Sequence, residues 1–402
     1  MSTRLPSLEA LKAQGKKILV RVDFNVPLDK DTGEISDDTR IVASLPTLEY
    51  LLQANAALVL VSHLGRPKGA DKSLSLAKVA EKLKAYLKKT PIFFVPDIVG
   101  GEAQQKKAEL KAGEILVLEN VRFHEEETSK DEKVRHAFAQ KLCQGLDAYV
   151  NDAFGAAHRA HASIYECAKI LPCYAGFLLK KEIEVLDQIL TRAERPFVAV
   201  IGGAKISTKI SVLENLLPKV DSLLIGGAMA YTFLKSRAIE IGNSMVENEF
   251  LSQAFQIMDK ASFLQKDLLL PEDHIVANEF SAKAKAKKTN DKNIPPLYMG
   301  MDIGPKTIDR YTAIIKKAKT VLWNGPMGVF EMERFAKGTI AIAKAMAKVK
   351  GTTVVGGGDS AYAVKMAKVA HKMTHVSTGG GATLEYLEGK KLPGVEVLLQ
   401  TS

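Results

Sequence analysis

Arg66, Arg122 and Arg159, with Asp23, Asn25, His63 and His158 among them, fall at or just after the ends of apolar runs in the first half of this 402-residue chain, and Arg40, early in the expected helix after the first strand's loop, can join them. Ligands of open α/β sheets bind beyond the carboxyl ends of the strands, so residues at such positions converge on one edge. Unpaired guanidinium groups repel one another. An anion would settle them, and the guanidinium fork suits a carboxylate or a phosphate. A small phosphorylated acid is the ligand these residue types fit; any one of the arginines taken alone reads more readily as a surface residue, and it is the shared strand-end position that turns the set toward a ligand. His63, His158 and His161 read as hydrogen-bonding or structural histidines, because two histidines three apart with no Cys or acidic partner do not make a zinc set.

The second half carries a different chemistry. The stretch 352–362, TTVVGGGDSAY, runs from β-branched residues through three glycines into an Asp-Ser pair and a helical pattern. Glycines let backbone N–H groups approach an anion, and a helix start adds the positive end of its dipole. Gly356, Gly358 and Ala361 satisfy the loose dinucleotide fingerprint, which asks for an acidic residue about 20 positions on to hold a ribose. None occurs from Ser360 to Leu384. Asp359 inside the turn would repel a bare pyrophosphate, so it reads either as a ligand of a magnesium ion carried by nucleotide phosphates or as a helix N-cap. VIGGAKISTK (200–209) puts a glycine pair before an expected helix with Lys205 and Lys209 four apart on one face. The glycine-to-lysine spacing is not that of a Walker loop, and two exposed lysines is the plainer alternative. LIGGAMAYTF (224–233), WNGPMGVFE (323–331) and STGGGATLE (377–385) add further glycine turns, with Asn324 and Glu331 as polar neighbours. Five glycine-bearing strand ends in one half favour a nucleotide site.

Apolar runs alternating with helical patterns position these residues, which is the signature of parallel α/β architecture. Strands are expected at 17–24, 57–65, 92–98, 114–123 and 147–154, with helices over 40–54, 76–88 and 130–144. The pattern restarts after Pro196 with strands at 197–203, 223–229, 267–276, 320–326 and 352–358. Between the halves, Leu179, Ile183, Leu186 and Leu190 recur at helical spacing and predict a connecting helix. The polar segment 281–293 reads as an exposed loop. At about 150 residues per domain the length fits two or three cores, and the alternation gives two doubly wound parallel sheets. The 56 basic against 46 acidic residues make the chain +10, but aromatic residues are only 6%, too few for base stacking, so no nucleic acid is expected. Three widely spaced cysteines fit a reducing compartment. No signal-like N-terminus is seen and no run nears the roughly 18 apolar residues of a membrane span, so neither membrane nor export is expected, and the location is read as cytoplasmic.

VRVDFNVP (20–27), SHLGRP (62–67), LENVRFHEEE (118–127), NDAFGAAHRAHAS (151–163), GGAKISTK (202–209), LWNGPMGVFE (322–331), GGGDSA (356–361) and STGGGATLEYLEGK (377–390), in this order, closely resemble the phosphoglycerate kinase family over nearly the whole length. The resemblance implies a hinge-bending, monomeric glycolytic enzyme that interconverts 1,3-bisphosphoglycerate and ADP with 3-phosphoglycerate and ATP, using Mg2+. It implies a phosphoglycerate-binding domain at 1–175, a connecting helix and hinge at 176–195, a nucleotide-binding domain at 196–390 and a final segment, 391–402, returning to the first domain. Asp23, Phe24, Asn25, Arg40, His63, Leu64, Gly65, Arg66, Arg122 and Arg159 match the residues that hold the acid. Gly203, Lys205, Lys209, Gly226, Gly227, Gly300, Asn324, Glu331, Gly357, Gly358, Asp359 and Ser360 match the nucleotide site, with Asp359 at the metal. Ser360 stands where many members have Thr, and the hydroxyl is kept. Arg40, Lys205 and the N–H groups around Gly380 and Gly381 are then expected to contact the transferring phosphoryl group. The acceptor carboxylate is already ionised at neutral pH, which accounts for the lack of any convincing Ser/His/Asp or Cys/His arrangement. A two-domain nicotinamide dehydrogenase and a non-catalytic binding protein are the alternatives; the acid-free stretch after Ser360 speaks against the first.

Overall fold

Runs of Val, Ile, Leu and Ala that are buried along their whole length, such as Ala57–Val61, Ile115–Leu118 and Phe197–Ile201, can only be inner strands of parallel sheets covered on both faces. The computed structural model describes residues 5–29 and 31–400, and its chain divides into two compact units, Met1–Ile183 with Lys391–Ser402, and Glu184–Lys390. Of the stretches expected at 1–175 and 391–402, residues 1–4, 30 and 401–402 lie outside the described residues.

The first unit is built on six strands: β1 (Lys17–Arg21), β2 (Ala57–Val61), β3 (Ile92–Val95), β4 (Ile115–Leu118), β5 (Ala148–Asn151) and β6 (Cys173–Ala175). They lie in the order β3-β4-β2-β1-β5-β6, all parallel. The helices Thr39–Gln53, Ala77–Tyr86 and Glu132–Cys143 stand where periodicity predicts them. The helix Gly101–Glu109 was not foreseen, since GEAQQKKAE carries almost no apolar stripe. Neither was β6, whose three residues are too short to show a period. The C-terminal helix Pro393–Gln400 belongs to this unit: Gly394 N–H donates to Ala157 O at 2.8 Å, and a Cβ at Gly394 would come within 2.6 Å of Ile164.

The second unit carries β7 (Phe197–Ile201), β8 (Ser222–Ile225), β9 (Asp267–Leu269), β10 (His274–Ala277), β11 (Lys287–Lys288), β12 (Met299–Ile303), β13 (Thr320–Asn324), β14 (Thr352–Gly356) and β15 (His375–Val376). Six of them form a parallel sheet, β15-β14-β13-β7-β8-β9; β11-β10-β12 form a small antiparallel one. The single strand expected at 267–276 is therefore two strands in two sheets. Pro271 has no N–H for a ladder, and the chain turns at the fully buried Asp273, whose carboxylate accepts from Lys306 N, Thr307 N and Thr307 Oγ1 and so fastens the start of the helix Pro305–Lys317. The polar segment 281–293 is mostly loop, but Lys287–Lys288 pairs with Ile275 and Val276 as an exposed edge. Strands throughout end several residues earlier than the apolar runs suggest, because the last residues of each run peel away into the turns beyond the strand ends.

The helix Phe177–Thr191 carries the chain from one unit into the other and buries Leu179, Ile183, Leu186 and Ile189. Among the described residues no helix is long and apolar enough to cross a membrane.

Candidate functional site

In the first unit the inner strands β4, β2, β1 and β5 all end on the same sheet edge, and each contributes polar residues there. Asp23, only 3% exposed, holds Arg40: one guanidinium nitrogen, Nη1, donates to both carboxylate oxygens at 3.0 and 3.1 Å and to Asn25 O at 3.1 Å. The Arg40 guanidinium is therefore held in a fixed direction. Asn25 Oδ1 accepts from Gly65 N at 2.8 Å, and Arg122 Nη1 donates to Gly65 O at 2.6 Å, so the loop after β2 is clamped from both sides. Asn120 Nδ2 donates to Leu64 O and Leu74 O, while Asn120 Oδ1 takes Arg122 N–H. Below it, the carboxylate of Glu119 accepts from Ser75 Oγ, Leu76 N and Asn120 N. Arg66 and Arg159 are exposed.

Two expected ligand contacts narrow here. Phe24 and Leu64 are core side chains; Phe24 N–H is already given to Ser62 Oγ and its carbonyl to Val26 N, and the Leu64 carbonyl is taken by Asn120. Their part is to shape the turns. Arg21, read only as part of a strand, is the residue that pattern reasoning missed. It lies 1% exposed at the end of β1, donates through Nε to Ser163 Oγ at 2.8 Å and lies 3.1 Å from His63 Nδ1 through Nη2. A charged residue inside a strand buried on both faces was the available signal.

The local field is strongly positive. Burial, and then the charges of Arg21, Arg122 and Arg40, push the proton affinity of His63 well below the usual imidazole value. His161 is pushed down to about 3 by burial, with Arg122, Arg21 and Arg159 adding. Arg122 is itself lowered, first by burial and then by Arg21. A site that disfavours further protons to this degree favours an anion. Among the described residues no three His, Cys, Asp or Glu side chains group as a metal cage.

The second unit builds its site from backbone. Beyond β7, β8 and β13 the turns at Gly202–Gly203, Gly226–Gly227 and Gly325 interlock: a Cβ on Gly202 would stand 2.1 Å from Pro326 O, one on Gly227 2.4 Å from Gly203 O, one on Gly325 2.2 Å from Gly202 O. Gly226 is equally constrained by Met327 Sδ at 2.4 Å, and Gly300 by Tyr231 Oη at 1.9 Å. Gly202, Gly227 and Gly325 are required by backbone packed on backbone between these turns, whatever else they face, whereas Gly226 and Gly300 are closed in by the side chains of Met327 and Tyr231. Gly358 and Gly380 differ, with nothing within 4 Å of a built Cβ. They stand at the starts of the helices Gly358–Met366 and Gly381–Leu387, where unpaired N–H groups remain.

The expected helix under Lys205 and Lys209 begins later, at Ile210, with Lys209 in its N-cap position and the exposed Lys205 in the preceding loop. In that loop the Glu247 carboxylate accepts from Ser207 Oγ at 2.6 Å and Ser207 N at 3.1 Å, and Ile210 N–H closes a turn onto Ile206 O at 3.0 Å. Lys209 Nζ donates to Asn324 Oδ1; burial draws its pKa down to about 8, opposed by the carboxylates of Asp359 and Glu388. Gly357, with φ of 90°, is the N-cap of the helix Gly358–Met366, so Asp359 is a first-turn residue and not the cap. Its carboxylate is exposed, while the buried Ser360 Oγ accepts from Gly325 N at 2.7 Å, which fixes the β13 turn and leaves the O–H to donate. One exposed carboxylate beside open N–H groups fits Mg2+, which keeps waters and binds through one or two carboxylates plus phosphate oxygens. Glu331 is exposed in the turn region after β13. Gly379 N–H donates to Ser377 Oγ, which in turn shares a hydrogen with Thr383 Oγ1 at 2.6 Å, so the turn before Gly380 is internally tied.

The family model described as phosphoglycerate kinase matches residues 8–390. The chain is 54% identical over 396 residues to the phosphoglycerate kinase of Leptospira biflexa, covering 98% of both, and 50% identical over 401 residues to that of Clostridium novyi, covering 99% of both. Among solved structures, phosphoglycerate kinase from Coxiella burnetii is similar at a TM-score of 0.86 and 40% identity, and that from Pyrococcus horikoshii at 0.86 and 32%; each match covers 99% of both chains. With an arginine-lined strand edge in one unit and a glycine-built one in the other, the chain belongs to the phosphoglycerate kinase family.

Proposed function

We propose that the chain catalyses reversible phosphoryl transfer between 1,3-bisphosphoglycerate and ADP, giving 3-phosphoglycerate and ATP, and that its two strand edges divide the work. Family membership makes it a kinase of glycolysis. The arginine edge takes the phosphoglycerate, with Arg66, Arg122 and Arg159 toward its phosphate and carboxylate and His63, Asn25 and Asp23 fixing its orientation. The glycine edge takes the nucleotide: Lys205 and Lys209 with Asn324 toward the phosphates, Glu331 toward the ribose, Gly226, Gly227 and Gly300 about the base. Mg2+ would be held by Asp359 and would neutralise phosphate charge there. Arg40, Lys205 and the N–H groups about Gly380 and Gly381 contact the phosphoryl group in flight. No general base is called for, since the acceptor is a carboxylate, and positioning with charge neutralisation supplies the rate. Donor and acceptor must meet in line, so turnover requires the ligand sets to approach and water to be shut out. The protein is read as a cytoplasmic monomer.

The observation that carries this reading is the posture of Arg40, whose guanidinium is fixed beside the other arginines by a buried carboxylate and a carbonyl and so is preorganised for an anion. A coupled assay with 3-phosphoglycerate and ATP, with and without Mg2+, tests it. Turnover is expected only with all three; NAD-linked oxidation, or no turnover with tight binding to nucleic acid, would sink it.

A further inference from the structure

We propose that Arg21 is a positioning residue for the acid site: anchored by Ser163 and Glu127, it holds His63 as the neutral tautomer whose proton sits on Nε2. The inference rests on the reading above that His63 faces phosphoglycerate. A guanidinium has five N–H donors and no acceptor. The contact between Arg21 Nη2 and His63 Nδ1, 3.1 Å, is a hydrogen bond only if Nδ1 offers its lone pair, so the ring proton must be on Nε2. The guanidinium has no freedom to turn away. Its Nε donates to Ser163 Oγ at 2.8 Å and its Nη1 to Val22 O.

Ser163 is fixed in turn. With its oxygen accepting from Arg21, its own hydroxyl hydrogen goes to Glu127 Oε1 at 2.6 Å, and its backbone N–H to Glu127 Oε2 at 2.9 Å. Glu127, Ser163 and Arg21 are all buried, at 0, 0 and 1% exposure, and His63 is 5% exposed. The charged groups that face His63 are Arg21, Arg122 and Arg40, with the titratable His161 beside them, and with burial they keep the ring neutral. Among the described residues His63 Nε2 makes no hydrogen bond. The ring thus offers one directional N–H to an anionic oxygen; the other tautomer would turn a lone pair toward the same charge and repel it.

The imidazole 15N spectrum of His63, read by two-bond N–H correlation on ligand-free protein near neutral pH, is the decisive measurement. A protonated Nε2 with a bare Nδ1 is expected, and a protonated Nδ1 or an even mixture would overturn the proposal. Ser163→Ala removes the anchor without touching a ligand group. It is expected to mix the tautomers and raise KM for 3-phosphoglycerate about three- to tenfold, the worth of one oriented hydrogen bond, with KM for ATP unchanged. Ser163→Thr, which keeps the hydroxyl, is expected to restore both readouts. A Ser163→Ala protein with the wild-type spectrum and KM would count against the relay; if that variant does not fold, the wild-type spectrum still decides. His63→Ala with an unchanged KM for 3-phosphoglycerate would instead sink the reading of His63 as an acid-site residue, whichever tautomer is found.

Discussion

The two units share a plan, six parallel strands with polar turns at one edge, yet they arm that edge in opposite ways. In the first unit the chemistry hangs on side chains: Arg40 on Asp23, Arg122 on Gly65 O, Arg21 on Ser163. In the second unit the edge is built largely from backbone turns, with Ser360 Oγ accepting from Gly325 N and Asn324 Oδ1 accepting from Lys209 Nζ. The lesson concerns tolerance. A side-chain site loses function when a group is truncated and keeps its fold; a backbone site loses its fold when an atom is added.

The largest effect is expected from Arg40→Ala. It should lower kcat by about 10²- to 10³-fold, the scale of one preorganised charge donor, while nucleotide affinity, measured by calorimetry, changes little. Collapse of ATP binding with kcat intact would break the division of labour. Next, Gly202→Ala should destabilise the protein by about 2 kcal/mol or more, since its Cβ would meet the Pro326 carbonyl, a backbone atom that cannot swing aside. Gly358→Ala, with open space around it, should be neutral or stabilising by a few tenths of a kcal/mol up to about 1 kcal/mol. Denaturant midpoints at constant m distinguish them, and equal losses would mean that packing does not separate the two kinds of glycine. Asp359→Ala should weaken Mg-nucleotide about tenfold and free nucleotide hardly at all, by titration with each; equal losses would remove the carboxylate from the metal.

The last comparison concerns a likeness between the units. Asp152, which accepts from Leu178 N at 2.9 Å, and Asp302, which accepts from Gly338 N at 2.7 Å, are buried carboxyls, each raised by burial to about 7. The unfolded chain ionises them near 3.8. Between about pH 4 and 7 the native state therefore holds protons the unfolded state has lost, and each group's stabilisation, full below that window, falls as pH rises through it. Asp302→Asn should flatten that part of the stability curve; an unaltered slope in urea midpoints would show that the carboxyl is ionised in the fold.

Much of this was legible beforehand because strand ends and glycine turns are local signals. Asp23, His63, Arg122 and Arg159 are readable from where apolar runs stop, and GGGDS from the switch of period around it. What escaped depends on distant contacts. Whether 267–276 was one strand or two turned on Asp273 reaching Thr307. The helix expected under Lys205 and Lys209 starts only at Ile210, after a loop whose Ser207 is bound to Glu247, some forty residues away. Arg21 escaped because its partners Ser163 and Glu127 come from loops that periodicity cannot bring together.

By itself the sequence determined the α/β class, the strand-end placement of the arginines and glycine turns, and the motif order that marks the family, because hydrophobic period and turn chemistry are written residue by residue. Only the tertiary structure decided which glycines are demanded by packing and which are left open. It alone showed that Asp359 is not a cap, and which partner holds each arginine. Those are questions of what lies within a few ångströms across the fold, and spacing along a chain does not encode that distance.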